Sequence, residues 1–154
     1  MMYYMSRRYD EAIEQLGQVD ITDPGTTDVP RWLMSCYAMQ GDQGKAVEQL
    51  EKLQETAKAS PEDIASLRSA FESGGWPAAL RTSLDISSRN VKRRTLLTAI
   101  FLAQLGEKDQ AFDVLNEIRK RRGIMLIYAA REPLLDLLHD DPRYSAMMSQ
   151  MNLK

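Results

Sequence analysis

The chain has 154 residues, a formal net charge of −2 and one cysteine, Cys36, which excludes an intramolecular disulfide and a multi-cysteine metal site. Charged residues are 27% and hydrophobic residues 44%, ordinary for a globular chain, and the near-neutral balance exerts no global pull on nucleic acid or anionic lipid. No apolar run approaches ~18 residues, and MMYYMSRR lacks the apolar core and small-residue cleavage site of a secretion signal.

In chain order, MMYYM is a short helical stub, too short to be stable alone in water. YDEAIEQL (Tyr9–Leu16) opens an amphipathic helix whose apolar face carries Ala12, Leu16 and Val19. VPRWLMSCYAMQ reads as a second apolar helix with Cys36 buried in it. After Gly41 comes GDQGKAVEQLEKL, whose Ala46, Leu50 and Leu53 again fall at i, i+4, i+7. SPEDIASLRSAF starts with Ser60 as N-cap, Pro61 at N1 and Asp63 at N3, a near capping box. GGWPAALRTSLDI supplies a turn and another helix, with Ala79 or Ala78 as its close-packing small residue. RTLLTAIFLAQL, Gly106 and LGEKDQAFDVL repeat the scheme with Ala111, Leu115 and Ile118. REPLLDLL reads as a short helix packing four leucines under the last unit. Asp141 (N-cap) and Pro142 (N1) then open a final helix with Tyr144, Met147, Met148 and Met151 on one face. No segment alternates as a strand does, so the chain is expected to be all-α.

Ala12 and Ala46 lie 34 residues apart, and Ala46 and Ala111 lie 65 apart, close to two such periods. Gly41 and Gly106 each precede their alanine by five residues, where a tight helix–helix turn wants positive φ. Each unit is thus helix, turn, helix, with alanine where two helices cross closely.

These units resemble the tetratricopeptide repeat, whose period is about 34 residues. Leu33, Tyr37, Gly41, Ala46 and Leu50 match its large, aromatic, glycine, alanine and large positions, and Leu102, Gly106, Ala111 and Leu115 match again. Asp23-Pro24 resembles the closure of a repeat, while Arg7 stands where the family has its turn glycine. The resemblance implies a right-handed α-solenoid: a truncated repeat at 1–24, repeats at 27–59 and 90–122, a degenerate repeat at 60–88 and a capping helix within 133–154. In that frame the chain starts in mid-helix, as a fragment or truncated member would. The stretch 61–154, with its tail Leu138-His139-Asp140-Asp141-Pro142-Arg143-Tyr144, is also similar to the C-terminal repeat segment of bacterial signalling proteins. Those carry a winged-helix, kinase or nucleotide cyclase domain ahead of the repeats.

The resemblance implies a scaffold or sensor module that holds a protein or peptide in a concave groove. By repeat position the groove residues are Asp28, Arg31, Ser35, Ala38 and Met39, then Arg93, Leu96, Ile100, Ala103 and Gln104, with Arg68, Phe71 and Glu72 from the degenerate repeat. Ser35 and Ile100 do not supply the asparagines of a chaperone-tail clamp. No nucleophile elbow, phosphate-cradling loop or HExxH occurs, so neither a cofactor nor an enzymatic activity is expected. His139, near Asp136, Asp140 and Asp141, offers too few ligands for a metal. Two rivals stand beside the groove: self-association through the truncated first repeat, and nucleic-acid contact through Lys92–Arg94 and Arg119–Gly123. The second is weaker, because cations at a helix C-terminus complement its dipole without any ligand. The expected compartment is the cytoplasm, or the periplasm where a parent protein is membrane-anchored.

Overall fold

The computed structural model describes residues 2–19, 28–90, 94–121 and 126–151, and every regular element among them is helical. Asp23, Pro24, Lys92, Arg93 and Gly123 lie outside the described residues. The chain forms two compact units, Met1–Asn90 and Val91–Lys154.

In the first unit, α1 (Met2–Met5) and α2 (Tyr9–Gly17) make one helix pair, and α3 (Asp28–Gln40) and α4 (Gln43–Thr56) make the next. The four-residue α1 has too few hydrogen bonds to persist by itself. It is held by Tyr4, fully buried, whose ring centroid lies 5.9 Å from Tyr9 and 5.3 Å from Trp32. Ala12, Leu16, Val29 and Cys36 complete that core. Val19 departs from its expected place: α2 ends at Gly17, and Val19 lies beyond the helix and exposed. Leu53 and Ile118, at the corresponding positions of the other copies, remain helical and buried.

The third element, α5 (Pro61–Asn90), is broken at Gly75, which has φ 66° and ψ −160°. Its halves run antiparallel. Arg89 reaches Asp63 at 2.7 Å, whereas a straight helix would hold residues 26 apart at roughly 39 Å. Two features make the reversal feasible. Gly75 adopts a conformation that side chains resist, and a Cβ on Gly74 would sit 2.7 Å from that of Ala78. Ser60 caps the first half, accepting from the Asp63 N–H at 3.1 Å. Ala79 is fully buried, and Ala78 is only half-buried, so Ala79 holds the small-residue position. α4 packs on both halves: Glu51 pairs with Arg68 of the first, and buried Gln54 donates to Ser83 Oγ of the second at 2.7 Å.

The second unit contains α6 (Leu96–Gln104), α7 (Lys108–Lys120), the four-residue α8 (Leu126–Ala129), a 3-10 helix over Pro133–Leu138 and α9 (Pro142–Gln150). Three of the four expected leucines of the 3-10 helix are buried, and Leu137 is exposed. At three residues per turn, four leucines in a run of five cannot share one face. Asp141 caps α9, accepting from the Arg143 N–H at 3.0 Å, and Tyr144, Met147 and Met148 are buried beneath it.

One closure recurs. Residues 7, 41 and 106 have φ of 60°, 78° and 78°. In each case the following N–H bonds back to the carbonyl five residues before it: Arg8 to Tyr3, Asp42 to Tyr37, and Glu107 to Leu102, all at 2.9 Å. This double-bonded left-handed turn satisfies the last carbonyls of the first helix and reverses the chain. Five residues on, Ala12, Ala46 and Ala111 are buried. Lys58, with φ 62°, ends α4 in the same way, its successor Ala59 bonding to Gln54 at 2.9 Å.

Left-handed backbone costs an L-residue roughly 1–2 kcal/mol, partly offset by the flexibility glycine brings to the unfolded chain. Nothing lies within 4 Å of a Cβ added at Gly41 or Gly106, so alanine there tests the backbone alone. Gly41→Ala and Gly106→Ala are each expected to lose about 1 kcal/mol in urea unfolding, while Lys58→Gly gains about 0.5 kcal/mol. A loss at Lys58→Gly would contradict the turn assigned to it.

Candidate functional site

Within the first unit, the residues expected to line a groove differ in exposure and in what they touch. Asp28 is exposed at the start of α3. Arg31, half-exposed, lays its guanidinium 3.9 Å from the centre of the Trp32 ring, an arrangement that positions the cation. Ala38 and Phe71 are half-buried, Met39 is half-buried against the α1–α3 core, and Glu72 is exposed. Arg68 is committed: its Nε and one terminal nitrogen meet the two Glu51 oxygens at 2.6 and 2.5 Å, a bidentate fork. That bond, with the Glu51 charge, raises the Arg68 pKa. Ser35 is interior, at 2% exposure between buried Met34 and Cys36.

Three of the corresponding residues of the second unit are interior, and a fourth is half-buried. Leu96, Ile100 and Ala103 are buried, and Gln104 donates to the Leu134 carbonyl at 2.7 Å, tying α6 to the 3-10 helix. The reason is compositional. LLTAIFLA is apolar except for Thr98, and a helix so rich in apolar residues buries most of its surface, leaving Leu97 and Thr98 half-buried. Arg93 lies outside the described residues.

The structure brings together two basic runs that are 25 residues apart. Arg94 pairs with Glu117 of α7. Arg121, at the end of α7, donates to the Arg94 carbonyl at 2.9 Å and to the Glu117 carbonyl at 3.2 Å. Between them opens a shallow recess of about 500 Å³ lined by Arg94, Asp113, Asn116, Glu117, Arg119 and Lys120. Sequence reasoning assigned the two runs separately, because the α6–α7 hairpin that joins them is a tertiary fact.

The C-terminal motif is a mechanical clasp. Arg143 binds Asp141 Oδ1 at 2.9 Å and Oδ2 at 2.8 Å, reaches Asp109 of α7 at 2.7 Å and stands 4.3 Å over the Phe112 ring. The Arg143 hydrogen bonds hold the Asp141 carboxyl down at about 2, and Arg143 itself is raised. Tyr144 donates to the Ala129 carbonyl at 3.0 Å, and burial, with a smaller contribution from Asp136, pushes its phenol up to about 12. His139 stacks 4.4 Å from Tyr144, with Nδ1 3.6 Å from Asp136. Among the described residues no three metal-ligating side chains come together.

No family model, curated protein or solved structure matches the chain.

A depressed carboxyl pKa contributes stability above its unfolded value, near 3.9, that disappears as pH falls through the folded one. Asp141→Asn keeps a helix cap and removes only the charge. The stability difference between wild type and Asp141→Asn, from urea unfolding, should be constant at neutral pH and shrink between about 4 and about 2. A difference that does not change with pH would show that the clasp does not depend on ionisation.

Proposed function

We propose that this chain is a non-enzymatic helical-repeat scaffold of the tetratricopeptide kind, serving as a protein-binding or sensing module of a bacterial signalling or transcription-regulatory protein. One observation carries the reading. The same left-handed closure, followed five residues later by a buried alanine, recurs at Arg7, Gly41 and Gly106. Repeated helix pairs of this kind stack to bury faces that a single pair leaves exposed, and the helix-lined surface so formed is preorganised for an extended segment. In the first unit we take the stacking to be the right-handed solenoid of the family. Asp28, Arg31, Met39 and Phe71 are its ligand-facing residues, with a cation and apolar groups that suit a peptide of acidic and hydrophobic side chains. Arg68 then serves the α4–α5 contact first.

The rival reading is self-association without a separate ligand. It draws on Met2 and Tyr3, which leave apolar surface open on α1, Met2 at 82% exposure. Panning a displayed random peptide library on the chain separates the two. Selected peptides are expected to lose about tenfold in affinity with Arg31→Glu, with an unchanged circular dichroism spectrum. Undiminished binding by that folded variant would remove the groove. No enriched peptide, together with a concentration-dependent mass in sedimentation, would install self-association instead.

A further inference from the structure

We propose that the recess between the start of α6 and the end of α7 is a second docking point, for an acidic segment of a protein partner. It is independent of the groove in the first unit. Charge divides unevenly along the chain: Met1–Asn90 holds nine basic and fourteen acidic residues, Val91–Lys154 eleven basic and eight acidic. Most of the second unit's excess is gathered at this end of the α6–α7 hairpin. Arg94 and Arg121 are used internally, the first on Glu117 and the second on two carbonyls, and together they fix the walls. Arg119 and Lys120 are not used in this way. Among the described residues Arg119 bonds the Asn116 side-chain oxygen, at 3.4 Å, and Lys120 has no ionic partner.

Arg94, Arg119, Lys120 and Arg121 stand close together at this end of the hairpin and repel one another, and Arg94 also faces the positive end of the α6 dipole. The anion that fits is discrete. Asp113 and Glu117 interrupt the basic lining, so a continuous phosphate backbone would run over carboxylates, and no aromatic side chain lines the recess to stack a base. Glutamate, aspartate or phosphoserine side chains instead can settle between Arg119 and Lys120 and avoid the acids.

Fluorescence anisotropy tests this with a labelled glutamate-rich peptide, its phosphoserine counterpart and a single-stranded oligonucleotide of equal charge. The expected result is saturable peptide binding that weakens with salt and falls about tenfold in Arg119→Glu plus Lys120→Glu. Arg119→Gln plus Lys120→Gln, which adds no negative charge to α7, should give a smaller loss with unchanged thermal unfolding. Binding indifferent to both variants, or an oligonucleotide preferred over both peptides, overturns the proposal. Loss of peptide binding in Arg31→Glu alone would transfer it to the groove and overturn the recess while sparing the scaffold reading.

Discussion

The structure depends on reversing a helix within two or three residues while leaving room for its return. A left-handed residue at the turn does the first, and a small side chain five positions later does the second. The two requirements are coupled, because a tight turn brings the helices close and closeness admits only alanine at the crossing. Gly41 and Gly106 meet the backbone requirement at no steric cost. Arg7 and Lys58 adopt the same conformation with full side chains, so neighbouring packing outweighs their backbone preference. Tyr4, sealed between Tyr9 and Trp32, is what holds the first of these turns.

The third pair solves the same problem differently. Gly75 reverses the chain with ψ near −160°, and Gly74 provides the clearance, so two glycines share what a single residue does elsewhere. Trp76 is buried directly after the break, and Pro77 sits in the first turn of the returning half, where its missing N–H costs nothing. Cross-links then hold each fold-back: Arg89 to Asp63 within the hairpin, Glu51 to Arg68 and Gln54 to Ser83 between α4 and α5. The exposed ion pairs contribute little energy individually. Their value is in fixing register, and the buried amide–hydroxyl bond, with no competing water, adds more to stability.

Much of this was legible because local chemistry dictated it. Ser60 and Asp141 cap the helices their sequence announces, and the spacing of Ala46 and Ala111 from their glycines identified two turns directly. Val19 misled, since apolar periodicity continues past Gly17 after the helix has stopped. The groove assignment was partly misled by its own method. Position in a repeat frame says where a residue points, and the composition of LLTAIFLA shows that α6 has little free surface to point from. That signal was in the sequence, and it outranks the frame. The meeting of Arg94 with Glu117 and Arg121 was not in the sequence, because periodicity cannot say how two helices are staggered.

In the proposed scaffold, the repeated hairpins use their apolar residues and many of their charges to hold themselves shut. What remains for recognition is found by subtraction. Arg68, Arg89 and Arg143 each join two segments of the fold, and removing any of them disturbs architecture before it disturbs binding. Arg31 rests on Trp32, while Arg119 and Lys120 project from a wall that Arg94 and Arg121 hold. A cation laid on a ring has less rotamer freedom to lose when an anion arrives, so more of the electrostatic attraction survives as affinity. The two proposed surfaces differ in kind: one mixes a cation with apolar groups, and the other is polar throughout. A partner engaging both would need an acidic stretch separate from an amphipathic one, and its affinity would depend on the linker between them.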